Sequence, residues 1–207
     1  HGGVLPRSKG YIYESGLHVP LVVYVPEKWQ HLVPYERGER SDAFVQFIDL
    51  GPTVLNLAGA EVPKAMDGRP FLGEGLKKKE LEKRNTAFGY ADRFDEKYDL
   101  VRSIRQGRYK YIRNYQPFNI DALFNFYRYK MLAYDQWRQM FERGELSGPR
   151  LQFFQTKPVE MLFDVEADPH EIHNLAGDPQ HADTLHELRA RLQQIVKGLP
   201  DLSFYPE

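Results

Sequence analysis

Two runs of residues around a short turn constrain the second half of the chain more than any other feature. Residues 100–105 and 108–113 flank Gln106-Gly107, and a two-residue connection that contains glycine is typical of a β-hairpin. Residues 86–91 and 159–165 are predicted as two further strands. We therefore expect an antiparallel sheet in this half of the chain, packed with helices on one side.

Two helices are predicted beside this sheet. Residues 121–143 carry apolar and aromatic side chains at helical spacing, and Gly144 follows as a helix stop. The aromatic stripe of this segment is more typical of core packing than of a ligand platform. Residues 180–197 place four aliphatic side chains on one stripe, as an amphipathic helix does. These side chains are Leu185, Leu188, Leu192 and Ile195.

The first half of the chain has a different pattern. Residues 21–25 form an apolar, mostly β-branched run between two prolines, which favours a strand buried on both faces of a parallel sheet. A helix is predicted from about Gly51 to Gly59, and the turn-rich residues 60–85 are predicted as a connector. The predicted fold class is therefore α/β, with α+β character in the second half and a boundary near residues 73–86.

Composition excludes several classes of function. The chain has 28 basic and 29 acidic residues, so no broad basic field is available to bind nucleic acid. The absence of cysteine excludes disulfides, cysteine-based zinc sites and a cysteine nucleophile within these residues. No apolar run approaches the length that spans a bilayer. The sequence starts at His1 in a loop-like pattern, so we expect a truncated piece of a longer protein.

The first twenty residues contain the strongest candidates for functional side chains. Glycines and small residues surround His1 and Lys9, and such a loop lets backbone and polar groups approach a small anion. A neutral imidazole can ligate a metal ion, and a lysine ammonium suits a tetrahedral oxyanion as a point charge. Taken alone, a histidine and a lysine in a loop are more typical of an ordinary surface than of a binding site.

An ordered set of motifs in this stretch favours a functional site over an ordinary surface. His1-Gly2, Lys9-Gly10 and Glu14-x-Gly16-x-x-Val19-Pro20 precede the apolar run, and the set resembles the type I sulfatases of the alkaline-phosphatase-like superfamily. The resemblance implies that His1 is the second ligand of a divalent cation, commonly calcium. It also implies that Lys9 is a catalytic residue that binds the sulfate group of the substrate.

A second match lies near the C-terminus. Residues 161–176, with the sequence MLFDVEADPHEIHNLA, resemble the C-terminal signature of the same family. Its physical role is predicted to be structural, since Asp168-Pro169 makes a turn and Asn174 can cap one. The helix motif Asp49-x-x-Pro52-Thr53 and the hairpin at 102–112 also resemble family motifs. The matches therefore cover nearly the whole chain in the right order.

The resemblance carries further expectations about organisation and chemistry. Residues 1–75 would be the end of the catalytic α/β domain, and residues 76–207 an antiparallel-sheet subdomain with a terminal helix. The nucleophile of the family is a formylglycine made from Cys or Ser in a (C/S)xPxR motif, which this chain does not contain. We therefore expect the chain alone to be inactive. By the same resemblance, we expect a periplasmic or secreted bacterial enzyme.

Substrate contacts are expected from two further residues. His18 precedes the predicted core strand, where it either faces the pocket or packs at the strand entry. Arg93 lies in a loop of the second half, the part that contributes to the substrate pocket in this family, although a surface ion pair is the plainer interpretation. The expected partner is a sulfated small molecule or glycan, with no nucleic acid and no membrane span. The oligomeric state stays open.

Two other functions compete with the sulfatase interpretation. A phosphodiesterase or phosphonate monoester hydrolase of the same superfamily shares the metal-binding segment. A module that only packs or binds, without catalysis, is the alternative from a different class. The segment upstream of His1 would separate the two enzyme classes, because a (C/S)xPxR motif is specific to sulfatases.

Overall fold

A computed structural model describes residues 7–94 and 96–205 of the chain. They form two compact units, one from residues up to Pro20 together with Phe88 onwards, and one from Leu21–Ala87. The α-helices described are α1 (Glu14–Leu17), α2 (Leu50–Leu57), α3 (Lys78–Leu81), α4 (Phe126–Tyr129), α5 (Leu132–Glu142) and α6 (Ala182–Gly198). The strands are β1 (Thr86–Phe94), β2 (Lys97–Gln106), β3 (Tyr109–Asn114) and β4 (Glu160–Asp164). Short 3₁₀ turns lie at Glu27–Leu32, Phe47–Asp49, Gly148–Arg150, Gln152–Phe154, Pro179–His181 and Leu202–Phe204.

The strands form one sheet in the order β1-β2-β3-β4, and β3 is antiparallel to both β2 and β4. The predicted antiparallel sheet is thereby confirmed, and so is the α/β class with α+β character in this half. The hairpin turn lies one residue later than predicted. Gln106 pairs with Tyr109, so the two connecting residues are Gly107 and Arg108. Gly107 has a φ of 55°, a left-handed conformation that glycine adopts without a steric penalty.

Both faces of the sheet are covered. Alternation along β4 sends Leu162 to one face, where it packs with Leu188 and Leu192 of α6. Met161 and Phe163 point to the other face. There they pack with residues 11–13, with Tyr134 of α5 and with Phe153. The predicted terminal helix is confirmed as α6. The prediction that helices pack on one side of the sheet was incomplete, because both faces are covered.

The predicted helix over 121–143 is divided into two shorter helices. The Asn125 side chain accepts a 2.9 Å hydrogen bond from the Arg128 backbone N–H and caps α4. Met131 then adopts an extended conformation with a ψ of 125° before α5 begins. The single helix was therefore wrong, because aromatic spacing reports the buried face and not a break between two helices. The stop at Gly144 is confirmed by its φ of 71°.

Residues 21–25 do not form the predicted strand. Val22 and Tyr24 are 90% and 83% exposed, and no strand is assigned to this run. A strand needs a neighbour for its backbone groups, and among the described residues of Leu21–Ala87 strand structure begins only at Thr86. This prediction was wrong for the chain as described. The predicted helix from Gly51 is confirmed as α2, and Gly59 ends it with a φ of 69°.

The unit formed by Leu21–Ala87 has a small core of Phe71, Leu72 and Leu81. Asp49 is 6% exposed, and its carboxylate accepts hydrogen bonds from the backbone N–H groups of Gln46 and Arg69 at 2.9 and 2.8 Å. The motif that begins at Asp49 therefore joins two stretches of backbone inside this unit, which is a structural role.

The predicted division into 1–75 and 76–207 concerns the domains of a longer enzyme and stays a prediction. The chain itself groups residues 7–20 with the sheet, because Tyr11, Ile12 and Tyr13 are buried in the sheet's core. No helix within the described ranges is both long and apolar enough to cross a membrane.

A bidentate ion pair holds α6 on the sheet. Glu160 of β4 accepts hydrogen bonds from Nε and Nη2 of Arg189 at 2.7 and 2.8 Å, and another from the Tyr111 hydroxyl at 2.5 Å. These hydrogen bonds, the two from Arg189 above all, hold the pKa of Glu160 below its usual value against the opposing effect of burial.

We expect Glu160→Gln to be less stable than the wild type near pH 7 by about 1 kcal/mol. Because the carboxyl pKa is lowered in the folded state, this stability is present above the unfolded pKa and is lost as the pH falls through the folded pKa. Urea unfolding at about pH 7 and about pH 3 should therefore show the difference shrinking in acid. Glu187→Gln, on α6 beside Gln106, is the matched control. The expectation would be contradicted if the free energy of unfolding changed equally between the two pH values in the wild type and in Glu160→Gln.

Candidate functional site

Residues 7–18, here named the Lys9 loop, fold onto one face of the sheet. Gly10 has a φ of 85°, and the backbone N–H of Tyr11 donates to the Ser8 carbonyl at 3.1 Å. The side chains of Tyr11 and Tyr13 are both 4% exposed. The loop is thus anchored by buried aromatic groups, and Lys9 lies on its exposed side.

The backbone of Lys9 is held by a buried arginine, while the residue itself is exposed. Arg128 of α4 is 4% exposed and donates from Nη2 to the Lys9 carbonyl at 2.8 Å. Its guanidinium carbon also lies 3.9 Å from the centre of the Tyr11 ring, a cation–π arrangement. A charged side chain on a fixed backbone is the element that an oxyanion site requires.

A buried ionic cluster lies beneath the loop, and we name it the clamp cluster: Glu14, Arg105, Lys110 and Glu171. Lys110 of β3 is 1% exposed, with Nζ 3.1 Å from Glu14 Oε1 and 2.9 Å from Glu171 Oε1. Lys110 also donates to the Ile12 carbonyl at 2.5 Å. Glu171 accepts from the backbone N–H of Glu14 at 2.6 Å, and Arg105 pairs with the Glu14 carboxylate. The cluster therefore binds the loop through both backbone and side chains.

The pKa values of the two carboxylates in the clamp cluster are shifted in opposite directions. Burial raises the pKa of Glu14, but the nearby Lys110 and Arg105 charges outweigh it and leave that pKa below the usual range. Burial raises the pKa of Glu171, and Lys110 offsets this effect only in part. Glu14 is therefore the firmly ionised partner of the buried cation.

A second buried cluster supports the tyrosines of the loop. It consists of Lys97, Asp99, Asp121 and Lys157. The Tyr13 hydroxyl donates to Asp121 Oδ2 at 2.9 Å, and the Tyr11 hydroxyl donates to the Asp121 carbonyl at 3.0 Å. Lys97 Nζ lies 4.3 Å from the centre of the Tyr11 ring, and burial lowers the pKa of Lys97. These contacts fix the two rings that carry the loop.

The C-terminal signature reaches the Lys9 loop directly. Asp168 accepts hydrogen bonds from the backbone N–H groups of Ile172 and His173, both at 2.7 Å. Within this turn Glu171 adopts a φ of 50°. The Arg7 guanidinium donates to the carbonyls of His170 and Glu171. The turn predicted at Asp168-Pro169 is present, but the sequence interpretation missed that it delivers Glu171 to the loop.

Lys9 and His18 lie on the same loop. Arg93 was predicted in a loop, which was wrong, because β1 continues through this residue. His18 is exposed, and its Nδ1 lies 3.8 Å from Glu14 Oε2. The Arg93 guanidinium lies 5.3 Å from the centre of the Tyr98 ring. The neighbouring Asp92 pairs with the buried Arg102. The roles assigned to Lys9, His18 and Arg93 stay predictions.

The predicted metal ligand His1 lies outside the described residues. Within 7–94 and 96–205, no group of three or more His, Asp or Glu side chains could hold a metal ion. The divalent cation and its ligand His1 therefore stay predictions.

Comparison with known proteins gives consistent matches along the chain. The profile of the family described as N-sulphoglucosamine sulphohydrolase, C-terminal, matches residues 7–131. An ulvan-active sulfatase of Formosa agariphila is 37% identical over 100% of this chain and 33% of its own length. The multifunctional alkaline phosphatase superfamily protein PehA of Trinickia caryophylli is 31% identical over 84% of this chain and 27% of its own. The N-sulphoglucosamine sulphohydrolase of Homo sapiens is 27% identical over 93% of this chain and 39% of its own. The chain thus spans about a third of the length of these curated relatives.

Gly16 gives a direct test of how tightly the loop is packed. A Cβ at this position would lie well under 3.0 Å from the Ser8 carbonyl oxygen, so we expect Gly16→Ala to displace the backbone beside Lys9. The expected destabilisation is about 1–3 kcal/mol in urea unfolding. Gly177→Ala is the control, since no atom lies within 4 Å of the added carbon. Equal stabilities of the two variants would show that the loop is not packed in this way.

Proposed function

Because the chain belongs to the N-sulphoglucosamine sulphohydrolase C-terminal family, we propose that it is the C-terminal part of an enzyme that hydrolyses sulfate esters. The full-length protein is the whole polypeptide that its gene encodes. Family membership supports the reaction class. One observation supports a role for this chain in the reaction. Lys9 is exposed, and its backbone is fixed by buried ions.

The proposed task of Lys9 is to bind the sulfate group and to neutralise charge on its oxygens during transfer. A lysine ammonium is a compact cation, which suits a tetrahedral oxyanion. A charge that is already in place when the transition state forms costs no reorganisation at that moment. The buried contacts to the Lys9 carbonyl and to the loop beneath it would provide this pre-organisation. Lys9 then contributes to the rate and not only to binding.

The other roles depend on the family resemblance and are part of the same proposal. A formylglycine outside these residues would supply the nucleophile. A divalent cation, calcium by the resemblance, has His1 as its single proposed ligand from this chain. His18 would contact the substrate from the same loop as Lys9, and Arg93 would contact its organic part. We also propose a periplasmic or secreted location on this basis.

The proposed substrate class is a sulfated sugar. Support comes from the names of two relatives, the human N-sulphoglucosamine sulphohydrolase and an N-acetylglucosamine-6-O-sulfatase of Bacteroides thetaiotaomicron. Both names combine a glucosamine with sulfate chemistry. A sulfated glucosamine is therefore the first natural substrate to assay.

Lys9→Ala in the full-length protein should lower kcat/KM on an aryl sulfate roughly 100-fold or more, the loss typical of removing one oxyanion contact. Lys197→Ala is the matched control, because this exposed lysine lies on α6 at the opposite face of the sheet. Initial rates measure the effect, with thermal unfolding recorded for both variants. Wild-type turnover by a folded Lys9→Ala variant would remove Lys9 from the proposal.

The phosphodiester alternative stays open because one relative, PehA, is named only as a multifunctional member of the alkaline phosphatase superfamily, to which both enzyme classes belong. Rates of the full-length protein on an aryl sulfate and on an aryl phosphodiester separate the two. A kcat/KM at least tenfold higher on the diester would favour the alternative. The chain alone, without the rest of the full-length protein, serves as the control for the alternative of a purely binding module. We expect no turnover from it.

A further inference from the structure

We propose that Lys110 and Glu171 are positioning residues for Lys9, acting through the backbone of the Lys9 loop. The inference depends on the proposed function, since it assumes that Lys9 binds the sulfate group. Neither residue belongs to the loop, and each binds the loop backbone at a different point. Lys110 donates to the Ile12 carbonyl at 2.5 Å, and Glu171 accepts from the Glu14 N–H at 2.6 Å.

The loop transmits this restraint to Lys9 through short internal contacts. The Ser15 hydroxyl donates to the Arg7 carbonyl at 2.7 Å. Gly16 lies so close to the Ser8 carbonyl that a Cβ would not fit between them. The two ends of the loop are therefore packed together, and a shift at Glu14 moves the backbone on either side of Lys9.

The cost of the cluster argues that it has a purpose other than stability. Lys110 and Glu171 are each 1% exposed, and burying two ions carries a desolvation penalty that their attraction often fails to repay. Apolar residues of similar volume would often give an equally stable core. What such residues could not provide is hydrogen bonds to the Ile12 carbonyl and the Glu14 N–H. The ions therefore fix the geometry of the loop.

Glu171 has a feature that fits a positioning role. It is a non-glycine residue with a φ of 50°, a conformation that costs energy for a residue with a side chain. The hydrogen bonds from Ile172 and His173 to Asp168, on either side of it in sequence, hold the turn in this shape. The turn thereby delivers the carboxylate to the loop.

Hydrogen exchange tests the restraint without any need for activity. In Glu171→Gln the neutral amide accepts a weaker hydrogen bond from the Glu14 N–H than a carboxylate does, and Lys110 loses one of its two counterions. We therefore expect the amides of residues 8–17 to exchange about tenfold faster or more, while those of β3 keep their wild-type rates. Glu166→Gln is the matched control, since Glu166 is an exposed glutamate in the same signature. Unchanged exchange in the loop of Glu171→Gln would overturn the proposal.

Activity then distinguishes positioning from general stability. In the full-length protein, Glu171→Gln should lower kcat on an aryl sulfate about tenfold or more, with a smaller change in KM. Added to Lys9→Ala, the same substitution should cost much less, because both act on one interaction. Equal effects in the two backgrounds would overturn the positioning role. A Lys9→Ala variant with normal activity would instead refute the proposed function and leave the exchange result standing.

Two arginines provide a second test that does not leave a buried charge unpaired. Arg105 lies on β2 just before the hairpin turn and Arg108 lies within the turn, and each pairs with a carboxylate. Arg105 pairs with Glu14 of the loop, whereas Arg108 pairs with Asp164 of β4. Arg105→Gln should speed exchange in residues 8–17 and lower kcat, and Arg108→Gln should do neither. Identical behaviour of the two variants would contradict the proposal even if Glu171→Gln fails to fold.

Discussion

Lys110 is the buried charge around which the larger unit is arranged. It lies on the central strand β3 and is bound by Glu14 from the N-terminal segment and by Glu171 from the C-terminal signature. Three stretches that are distant in sequence thus share one cation. Since an unpaired ion in this position would be very unfavourable, the cation depends on both other stretches, and removing either one leaves it with a single carboxylate.

Charge burial recurs on the same sheet. Lys97 and Asp121 lie beneath the tyrosines of the Lys9 loop, and Arg102 of β2 is 1% exposed between Asp92 and Asp201. The Lys97–Asp121 and Arg102–Asp201 pairs each join a strand to a segment without regular structure, whereas the Arg102–Asp92 pair joins β2 to β1. Apolar contacts give the sheet its two cores, but these ionic contacts define where the irregular segments lie. The proposed sulfate site depends on the second kind of contact.

Local patterns in the sequence predicted the local structure well. The hairpin, α2 and α6 were each indicated by turn residues or by helical spacing, and each is present. Residues 21–25 failed because strand formation depends on a neighbour, which no local pattern reports. The clamp cluster was missed for the same reason, since Glu14 and Glu171 are 157 positions apart. An acidic residue in a signature otherwise explained by turn chemistry was its only visible signal.

The same separation has a consequence for how the molecule is made. A ribosome adds about 5–20 residues each second, so the Glu14 N–H waits roughly 10–30 s for the carboxylate that will bind it. For the first part of this time the newly made Lys9 loop also lacks its cation, because Lys110 of β3 follows Ile12 by 98 positions. Contacts of such long range form late in folding. The end of this chain that carries Lys9 is therefore expected to take its final shape only after the last signature residues emerge.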